Sequence, residues 1–489
     1  ATGLWQEHFS YQIGNWCRAH GVEYIGHIIE DMNAHAHLGC SGGHFFRSLD
    51  GQDMSGIDIV LHQWRPGFAE YPHSASCAGG GMDTEFFHYV LAKLASSHAR
   101  MNPRMKGRAM CEVFGAYGWA EDTAVMKAML DHLLIRGVHY FVPHAFSMKF
   151  PDPDCPPQFY ADGHNPQFGA FAALMRYGNK MSHLLIGGSR VVNAAILYHA
   201  EAEWSGKSCM RVQQPAKALA DRQIDFEIVS ADHVLELASI SPPGKLALAD
   251  AAFDCLIVPG AGYLPLPLLE KLAAMCDAGL ELWFVDSRPD GFTRGEVVSL
   301  TELPQRMADR GFTDVTLETP CPLMRVSHIK RSGAHVFMFS NESAAESMLA
   351  RARLPVSGAY TRLDLQLDRA ASGVCPHGLL DIQLEPFQSA VFVFDTELPS
   401  GQTLPRVQRR MHLAMKYKVS AASYEQLDAF QAMGEYGESI HMAGTGGPLE
   451  PSFSGILRYE AEFDAPEDAF ALDLGAVGGC AQIELNGTR

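Results

Sequence analysis

The sequence lacks three features that would each indicate a particular class of protein. It contains no uninterrupted apolar run of about 18 residues, the length that a transmembrane helix needs. It has no basic run that could neutralise a row of phosphates, and its formal net charge is -18. It also lacks the composition of a disordered protein, because its hydrophobic fraction of 47% and charged fraction of 19% are those of a globular chain. We therefore expect globular domains with neither a membrane nor a nucleic acid as partner.

The eleven cysteines include no Cys-x-x-Cys pair, which disfavours both a disulfide framework and a cysteine zinc site. We interpret them as mostly buried free thiols, and free thiols favour a reducing, cytoplasmic location. No signal-peptide pattern follows Ala1. Prior removal of an export signal leaves a periplasmic or secreted location as the alternative.

The first 190 residues alternate between strand and helix patterns. Apolar strands are predicted at 22–29, 57–61, 108–114 and 138–145, and helices at 5–19, 83–98 and 121–135. Strands that alternate with helices build parallel sheets or barrels, and the catalytic groups of such folds lie just past the C-terminal ends of the strands. We predict an α/β fold class, with the C-terminal part of a β/α TIM-type barrel in residues 1–190.

Two glutamates stand at the ends of predicted strands. Glu30 follows the first strand and Glu112 lies in the third, so both would project from the same end of a barrel. Two facing carboxylates are what glycosidic cleavage needs, because one donates a proton to the leaving oxygen while the other attacks the sugar or activates water. A separation of about 5–5.5 Å would indicate retention and about 6.5–9.5 Å inversion. The alternative is that either glutamate caps a helix or pairs with an arginine.

Residues suited to binding sugars lie near the same strand ends. Tyr117 and Trp119 offer aromatic faces, on which the apolar faces of sugars stack. His27, Asn33 and His144 could hydrogen-bond to sugar hydroxyls. The alternative is that Tyr117 and Trp119 pack in the core and that the histidines are structural.

A rival interpretation starts from His35 and His37. Two histidines one residue apart after a barrel strand can bind zinc in hydrolases of the amidohydrolase kind. With 22 histidines in the chain such a pair also arises by chance, and this one lies in a predicted loop past the strand end. We therefore assign no metal ligand from the sequence.

The remaining residues are predicted to form further domains. Residues 191–323 contain apolar strands spaced by helices, which indicates a doubly wound, flavodoxin-like α/β domain. It carries no Gly-x-Cys-x-Gly elbow, so we expect it to be noncatalytic. Short alternating strands in 324–397 predict a β-sandwich, 398–450 a linker with a helix-like stretch at 423–433, and 451–489 the start of a second β-sandwich.

Several segments resemble one group of enzymes. YIGHIIEDMNAHAHLG, CEVFGAYGW and LLIRGVHYFVPHAFS resemble the catalytic barrel of large bacterial glycoside hydrolases related to family 2 and to the family 106 α-L-rhamnosidases. ILYHAEAEW to PGAGYLPLP is similar to the amidotransferase-like domain that follows the barrel in those enzymes and in family 42 β-galactosidases. NESAAES to LEPFQSAVFVFD resembles their β-sandwich, and FSGILRYEAEFD to IELNG resembles the start of a family 2 sugar-binding jelly roll.

The resemblance implies hydrolysis of a terminal sugar, with Glu30 as general acid and Glu112 as base or nucleophile. His27, Tyr117, Trp119 and His144 would line the pocket. The rhamnosidase branch inverts the stereochemistry at the anomeric carbon and can use calcium, whereas the family 2 and 42 branches retain the stereochemistry. We expect no other cofactor. The protein could form a homo-oligomer. The alternatives are the metal-dependent amidohydrolase and a noncatalytic carbohydrate-binding scaffold.

Strand counting gives one more expectation. A parallel barrel closes with eight strands, and four are recognisable here. We expect the strand at 22–29 to have an open edge, or residues outside this chain to complete the barrel. Activity should then be low for the isolated chain and should appear when about 200 upstream residues are restored.

Overall fold

The computed structural model describes residues 1–28, 42–66, 84–241, 244–394, 409, 411–413, 415–437, 449–450, 452–466, 469, 471–474, 477 and 479–488. The chain divides into two compact units, each described by itself below. Unit 1 comprises Ala1–Val113, Ala124–Val142 and Gly178–Gln402, and unit 2 comprises Phe114–Thr123, Pro143–Tyr177 and Thr403–Arg489.

The regular elements follow in chain order. The helices are α1 (Thr2–Trp5), α2 (Gln12–Ala19), α3 (Phe45–Leu49), α4 (Thr84–Tyr89), α5 (Leu91–Met101), α6 (Thr123–Ile135), α7 (Phe168–Leu185), α8 (Ala200–Trp204), α9 (Gln213–Ala220), α10 (Ala231–Glu236), α11 (Leu266–Asp277) and α12 (Leu303–Asp309). The strands are β1 (Ser55–Ile59), β2 (Ala109–Val113), β3 (Tyr140–Pro143), β4 (Ser189–Arg190), β5 (Ala194–Tyr198), β6 (Phe226–Ser230), β7 (Ser239–Ser241), β8 (Lys245–Leu248), β9 (Ala251–Phe253), β10 (Cys255–Val258), β11 (Glu281–Val285), β12 (Glu296–Val298), β13 (Thr316–Leu317), β14 (Met324–Arg331), β15 (Ala334–Asn341), β16 (Met348–Arg353), β17 (Gly358–Asp364), β18 (Arg369–Cys375), β19 (Leu379–Leu384), β20 (Ser389–Phe394), β21 (Tyr417–Ser423), β22 (Gln431–Tyr436) and β23 (Gly455–Glu460).

The N-terminal sheet of unit 1 has the strand order β1-β2-β3. β1 and β2 run parallel, with Ser55 opposite Ala109 and Ile59 opposite Val113. All five residues of β1 are buried, which matches the continuous apolar character of a parallel strand covered on both faces. The predicted second, third and fourth strands and the helix at 121–135 are therefore confirmed, but a closed barrel is not shown by the described residues.

The predicted strand at 22–29 is wrong over its described residues, 22–28, which belong to no strand. The backbone N–H of Tyr24 donates to the Asp53 carboxylate at 2.9 Å, and Asp53 N–H donates to the Tyr24 carbonyl at 2.8 Å. The Asp53 side chain thus takes a backbone donor that a sheet ladder would use, and this segment does not pair as a strand.

The second sheet of unit 1 has the order β12-β11-β10-β5-β6, and every neighbouring pair in it is parallel. Its central strands β5 and β10 are completely buried, because helices cover an all-parallel sheet on both faces. The doubly wound architecture predicted after residue 191 matches this sheet. A small antiparallel sheet, β7-β8-β9, lies between β6 and β10 in the sequence.

Two antiparallel sheets follow in unit 1, with orders β18-β17-β20-β15-β14-β4 and β13-β16-β19. β16 and β19 alternate between buried and exposed residues, and their buried residues share a core with Phe337, Phe339 and Phe392 of the larger sheet. Two sheets that pack their apolar faces together form a β-sandwich, as the alternation predicts.

Unit 2 contains a third antiparallel sheet, β22-β21-β23. The helix-like stretch predicted at 423–433 is wrong, since β21 ends at Ser423, a turn follows, and β22 begins at Gln431. The polar stretch between these strands forms a hairpin turn, with Tyr424 N–H bonded to the Ser454 carbonyl. The limits of the five predicted domains stay a prediction.

Among the nine described cysteines, no two form a disulfide bond with each other, as predicted. Only three of them, Cys111, Cys255 and Cys375, are fully buried, so the expected burial is wrong for most of the nine. Among the described residues, no helix has both the length and the apolar character that crossing a membrane requires.

A buried charge cluster links the parts of unit 1. The Glu342 carboxylate accepts hydrogen bonds from Arg136 at 2.7 Å and His132 Nδ1 at 2.9 Å, and lies 2.9 Å from Arg325 Nε. The two guanidinium groups hold the pKa of Glu342 well below its usual range. Because all four side chains are removed from water, the arginine charges depend on this carboxylate.

We therefore expect Glu342→Gln to lower the free energy of unfolding by about 3–5 kcal/mol, since it leaves Arg136 and Arg325 buried without their counter-charge. Urea denaturation at neutral pH measures the effect. Glu346→Gln, at an exposed position in the same segment, is the matched control and should change stability by less than about 0.5 kcal/mol. Equal stabilities for the two variants would contradict this reading of the cluster.

Five histidines of unit 1, three of them buried and two partly buried, predict sensitivity to acid. Burial lowers the pKa to about 3 for His88 and His233 and to about 4 for His132, His139 and His199. The unfolded chain therefore binds more protons below its histidine pKa of about 6.5. The free energy of unfolding should fall as the pH drops from about 6.5 to about 4, by up to about 1.4 kcal/mol per pH unit for each histidine. Denaturation curves that are unchanged between pH about 7 and about 5 would exclude this linkage.

Candidate active site

Two carboxylates lie side by side in the N-terminal sheet. Asp58 on β1 is the register partner of Glu112 on β2, and both precede the last residue of their strand. The Asp58 side chain is 3% exposed and that of Glu112 is 29% exposed. Register partners on parallel neighbours point to the same face, so this C-terminal strand end presents a buried and a solvent-accessible carboxylate together.

His27 lies against both carboxylates. Its Nε2 is 3.1 Å from Glu112 Oε2, and its Nδ1 is 3.8 Å from Asp58 Oδ2 and 2.6 Å from the carbonyl of Ile28. A carbonyl and an ionised carboxylate can only accept hydrogen bonds. His27 therefore carries protons on both ring nitrogens, or Glu112 carries one and donates it to Nε2. In either case one proton lies between Glu112 and His27, ready for transfer.

The predicted partner of Glu112 is outside the part of the chain that the structure describes. Glu30 and Asn33, like His35 and His37 of the rival metal site, lie outside the described residues. The pairing of Glu30 with Glu112 and their separation stay predictions.

Asp58 was missed by the sequence reasoning. It stands in SGIDIV, as the one charged residue within the second predicted strand. A charge within an apolar strand, close to its C-terminal end, was the signal that could have found it.

Three predicted sugar-binding residues belong to unit 2. Tyr117 is buried, whereas the Trp119 side chain is half exposed and has Phe150 at a ring-centroid distance of 6.4 Å. Phe150 stacks on His164 at 5.0 Å and meets Tyr424 at 6.0 Å. This surface offers the exposed aromatic faces that stacking on a sugar requires. His144, the third residue, lies beside Asp154 with its Nε2 3.4 Å from Oδ2.

Unit 2 also buries one acid that the sequence reasoning did not single out. Glu121 is 5% exposed, and neither of its carboxylate oxygens has a hydrogen-bond partner among the described residues. Burial, with the nearby charge of Asp122, raises the pKa of Glu121 to about 9. Glu121 is therefore a protonated acid at neutral pH.

Comparison with known proteins adds a structural relationship. The sequence matches no protein-family profile and no curated protein. Over 93% of its length the chain is similar to a rhamnosidase from Novosphingobium sp. PP1Y, with a TM-score of 0.67 and 15% identity. The chain shares the fold of that rhamnosidase over this span. Gan42B, a GH42 β-galactosidase from G. stearothermophilus, gives a TM-score of 0.54 and 10% identity over 81% of this chain and 68% of that one.

The extent of the match differs between the two proteins. This chain spans 45% of the length of the rhamnosidase, so it corresponds to less than half of that enzyme. At 10–15% identity the similarity establishes the fold, including the mixed α/β architecture with several sheets.

The doubly wound sheet contains a cysteine and a histidine in contact. Cys209 Sγ lies 3.3 Å from Nε2 of His199, the residue that follows β5. Burial raises the pKa of Cys209 to about 11 and lowers that of His199 to about 4. Both groups are therefore neutral at physiological pH, and a thiol in this state is a poor nucleophile. Cys255 is buried in β10 and Cys276 lies within α11, so neither stands at a strand-to-helix elbow.

We expect Cys209 to react with iodoacetamide about two orders of magnitude more slowly at about pH 8 than an ordinary thiol, because its thiolate fraction is smaller by that factor. Mass spectrometry of peptides after timed alkylation measures the rate. Exposed Cys480 in the same chain is the internal reference. Rapid alkylation of Cys209, or glutaminase activity lost in Cys209→Ser, would show an activated nucleophile in this sheet.

Proposed function

We propose that the chain is the catalytic part of a glycoside hydrolase that removes a terminal sugar from an oligosaccharide, polysaccharide or glycoside. The observation that carries the proposal is the contact of His27 with Glu112, beside Asp58, at the C-terminal end of parallel strands. Glycosidic cleavage needs carboxyl groups that hold and exchange protons at such a position. The fold shared with a rhamnosidase and a β-galactosidase supports the same class of reaction.

In this proposal Glu112 is the base or nucleophile. In a rhamnosidase-like, inverting reaction it would take a proton from the attacking water; in a β-galactosidase-like, retaining reaction it would attack the anomeric carbon. His27 would relay the proton of Glu112, and the negative charge of Asp58 would favour the protonated imidazole. Glu30 is proposed as general acid. Asn33, Tyr117, Trp119 and His144 are proposed to bind the sugar.

Two alternative functions would be recognised by different measurements. A metal-dependent amidohydrolase would use His35 and His37, and metal analysis with amide substrates would identify it. A noncatalytic scaffold would bind sugar through aromatic faces such as that of Trp119 and would turn nothing over. The rhamnosidase-like branch can use calcium. Among the described residues, one group of three side chains is clustered closely enough to bind a metal ion, namely His144, Asp154 and Cys155. It includes a thiol and an imidazole, whereas calcium binds oxygen ligands. A homo-oligomer is also a proposal.

We expect a panel of nitrophenyl glycosides, including the α-L-rhamnoside and the β-galactoside, to contain a substrate when it is assayed with the chain and with a longer form in which about 200 upstream residues are restored. Glu112→Gln should lower kcat/KM for it by about 10²–10⁴-fold, because the amide can neither hold nor accept the proton. Asp58→Asn and His27→Gln should lower kcat more than they change KM, since both groups act on the charge of the transition state.

Glu270→Gln, on the exposed face of α11, is the matched control and should leave turnover unchanged. Sugar binding measured by calorimetry separates the scaffold from the enzyme. Turnover that survives Glu112→Gln would contradict the proposed site, and binding with no turnover of any glycoside would favour the scaffold.

A further inference from the structure

Three side chains that could each bind a metal ion lie close together in unit 2. His144 directly follows β3, and Asp154 and Cys155 lie in the loop before α7. One ligand atom from each lies within 4.8 Å of the others. Within the described part of the chain this is the one such group of three or more histidine, cysteine or acidic side chains.

The loop that carries two of these residues is fixed by its own hydrogen bonds. The Asp152 carboxylate accepts from Ser147 Oγ at 2.7 Å and from the backbone N–H of Asp154 at 3.0 Å. Gln158, whose side chain is buried, donates its Nε2 to the carbonyls of Asp152 at 3.2 Å and Asp154 at 3.1 Å. The backbone beneath Asp154 and Cys155 is therefore held in place by bonds that do not use the three ligand atoms.

The spacing of the donor atoms is close to that around one ion. Nε2 of His144 lies 3.4 Å from Asp154 Oδ2, and Cys155 Sγ lies 3.6 Å from the other carboxylate oxygen, Asp154 Oδ1. Ligands at about 2.0–2.3 Å from a tetrahedral zinc ion are about 3.3–3.8 Å from one another. The opposite ring nitrogen, His144 Nδ1, has no hydrogen-bond partner among the described residues, so no competing bond fixes the tautomer of the ring.

We propose that His144, Asp154 and Cys155 form a binding site for a zinc-like divalent transition-metal ion. An imidazole nitrogen, a carboxylate oxygen and a thiolate sulfur are a typical zinc donor set, whereas calcium binds six to eight oxygens. Three protein ligands leave one tetrahedral position for water or for an oxygen of a bound molecule. The ion would link the residue after β3 to the loop before α7, and the proposal does not depend on the glycosidase assignment.

The test is cobalt and zinc binding by the intact 489-residue chain. We expect one Co²⁺ per chain, with the near-ultraviolet charge-transfer absorption of a thiolate–cobalt bond, and displacement of that absorption by Zn²⁺. Cys155→Ser should abolish the absorption, and His144→Gln should weaken zinc affinity by more than about a hundredfold, beyond the cost of changing an outer-shell residue.

Cys480→Ser is the matched control, because Cys480 is also an exposed free cysteine of unit 2. It should retain both the absorption and the affinity. Circular dichroism confirms that each variant is folded before metal is added. Wild-type protein that binds no stoichiometric metal, or an absorption that survives Cys155→Ser, would overturn the proposal.

Discussion

The buried carboxylate of Glu342 is the interaction on which the arrangement of unit 1 depends. It follows β15 of the sandwich and pairs with Arg136 at the end of α6, the helix that connects β2 to β3. It also pairs with Arg325 of β14, whose other side lies 3.6 Å from Asp221 at the end of α9. One carboxylate thus holds the sandwich, the doubly wound region and the N-terminal sheet together. Such a cluster tolerates little displacement, since any buried charge left without its partner costs several kcal/mol.

A second buried charge cluster connects helix α5 to β6 of the doubly wound sheet. Lys93 is fully buried and lies 3.2 Å from Asp225 and 3.4 Å from Glu227, which belongs to β6. Arg100, the residue before the last of α5, pairs with Glu227 at 3.2 Å. Helix α5 also packs on β1, the strand of Asp58. The strands that carry the two carboxylates of the candidate site are therefore backed by a helix held through charges rather than through apolar contacts alone.

The spacing and the number of apolar residues in the sequence were enough to predict the parts of the fold that are buried on both faces. β1, β2, α6 and the central strands of the doubly wound sheet could be predicted because most of their residues are buried. The errors at 22–28 and 423–433 arise where polar contacts decide the backbone. Glu112 and His27 could be singled out because they lie near the ends of predicted strands, but Asp58 could not, because its role depends on lateral register with Glu112, and register is a long-range property.

The failure of residues 22–28 to form a strand has a consequence for the candidate site. Gly26 has φ of 149°, and a Cβ at Gly56 would lie 2.0 Å from the Gly26 carbonyl oxygen, so the two backbones approach as only glycines allow. The next residue, His27, lies 3.1 Å from Glu112 Oε2 through its Nε2 and 3.8 Å from Asp58 Oδ2 through its Nδ1. The segment that does not pair as a strand therefore carries the imidazole that lies against both carboxylates.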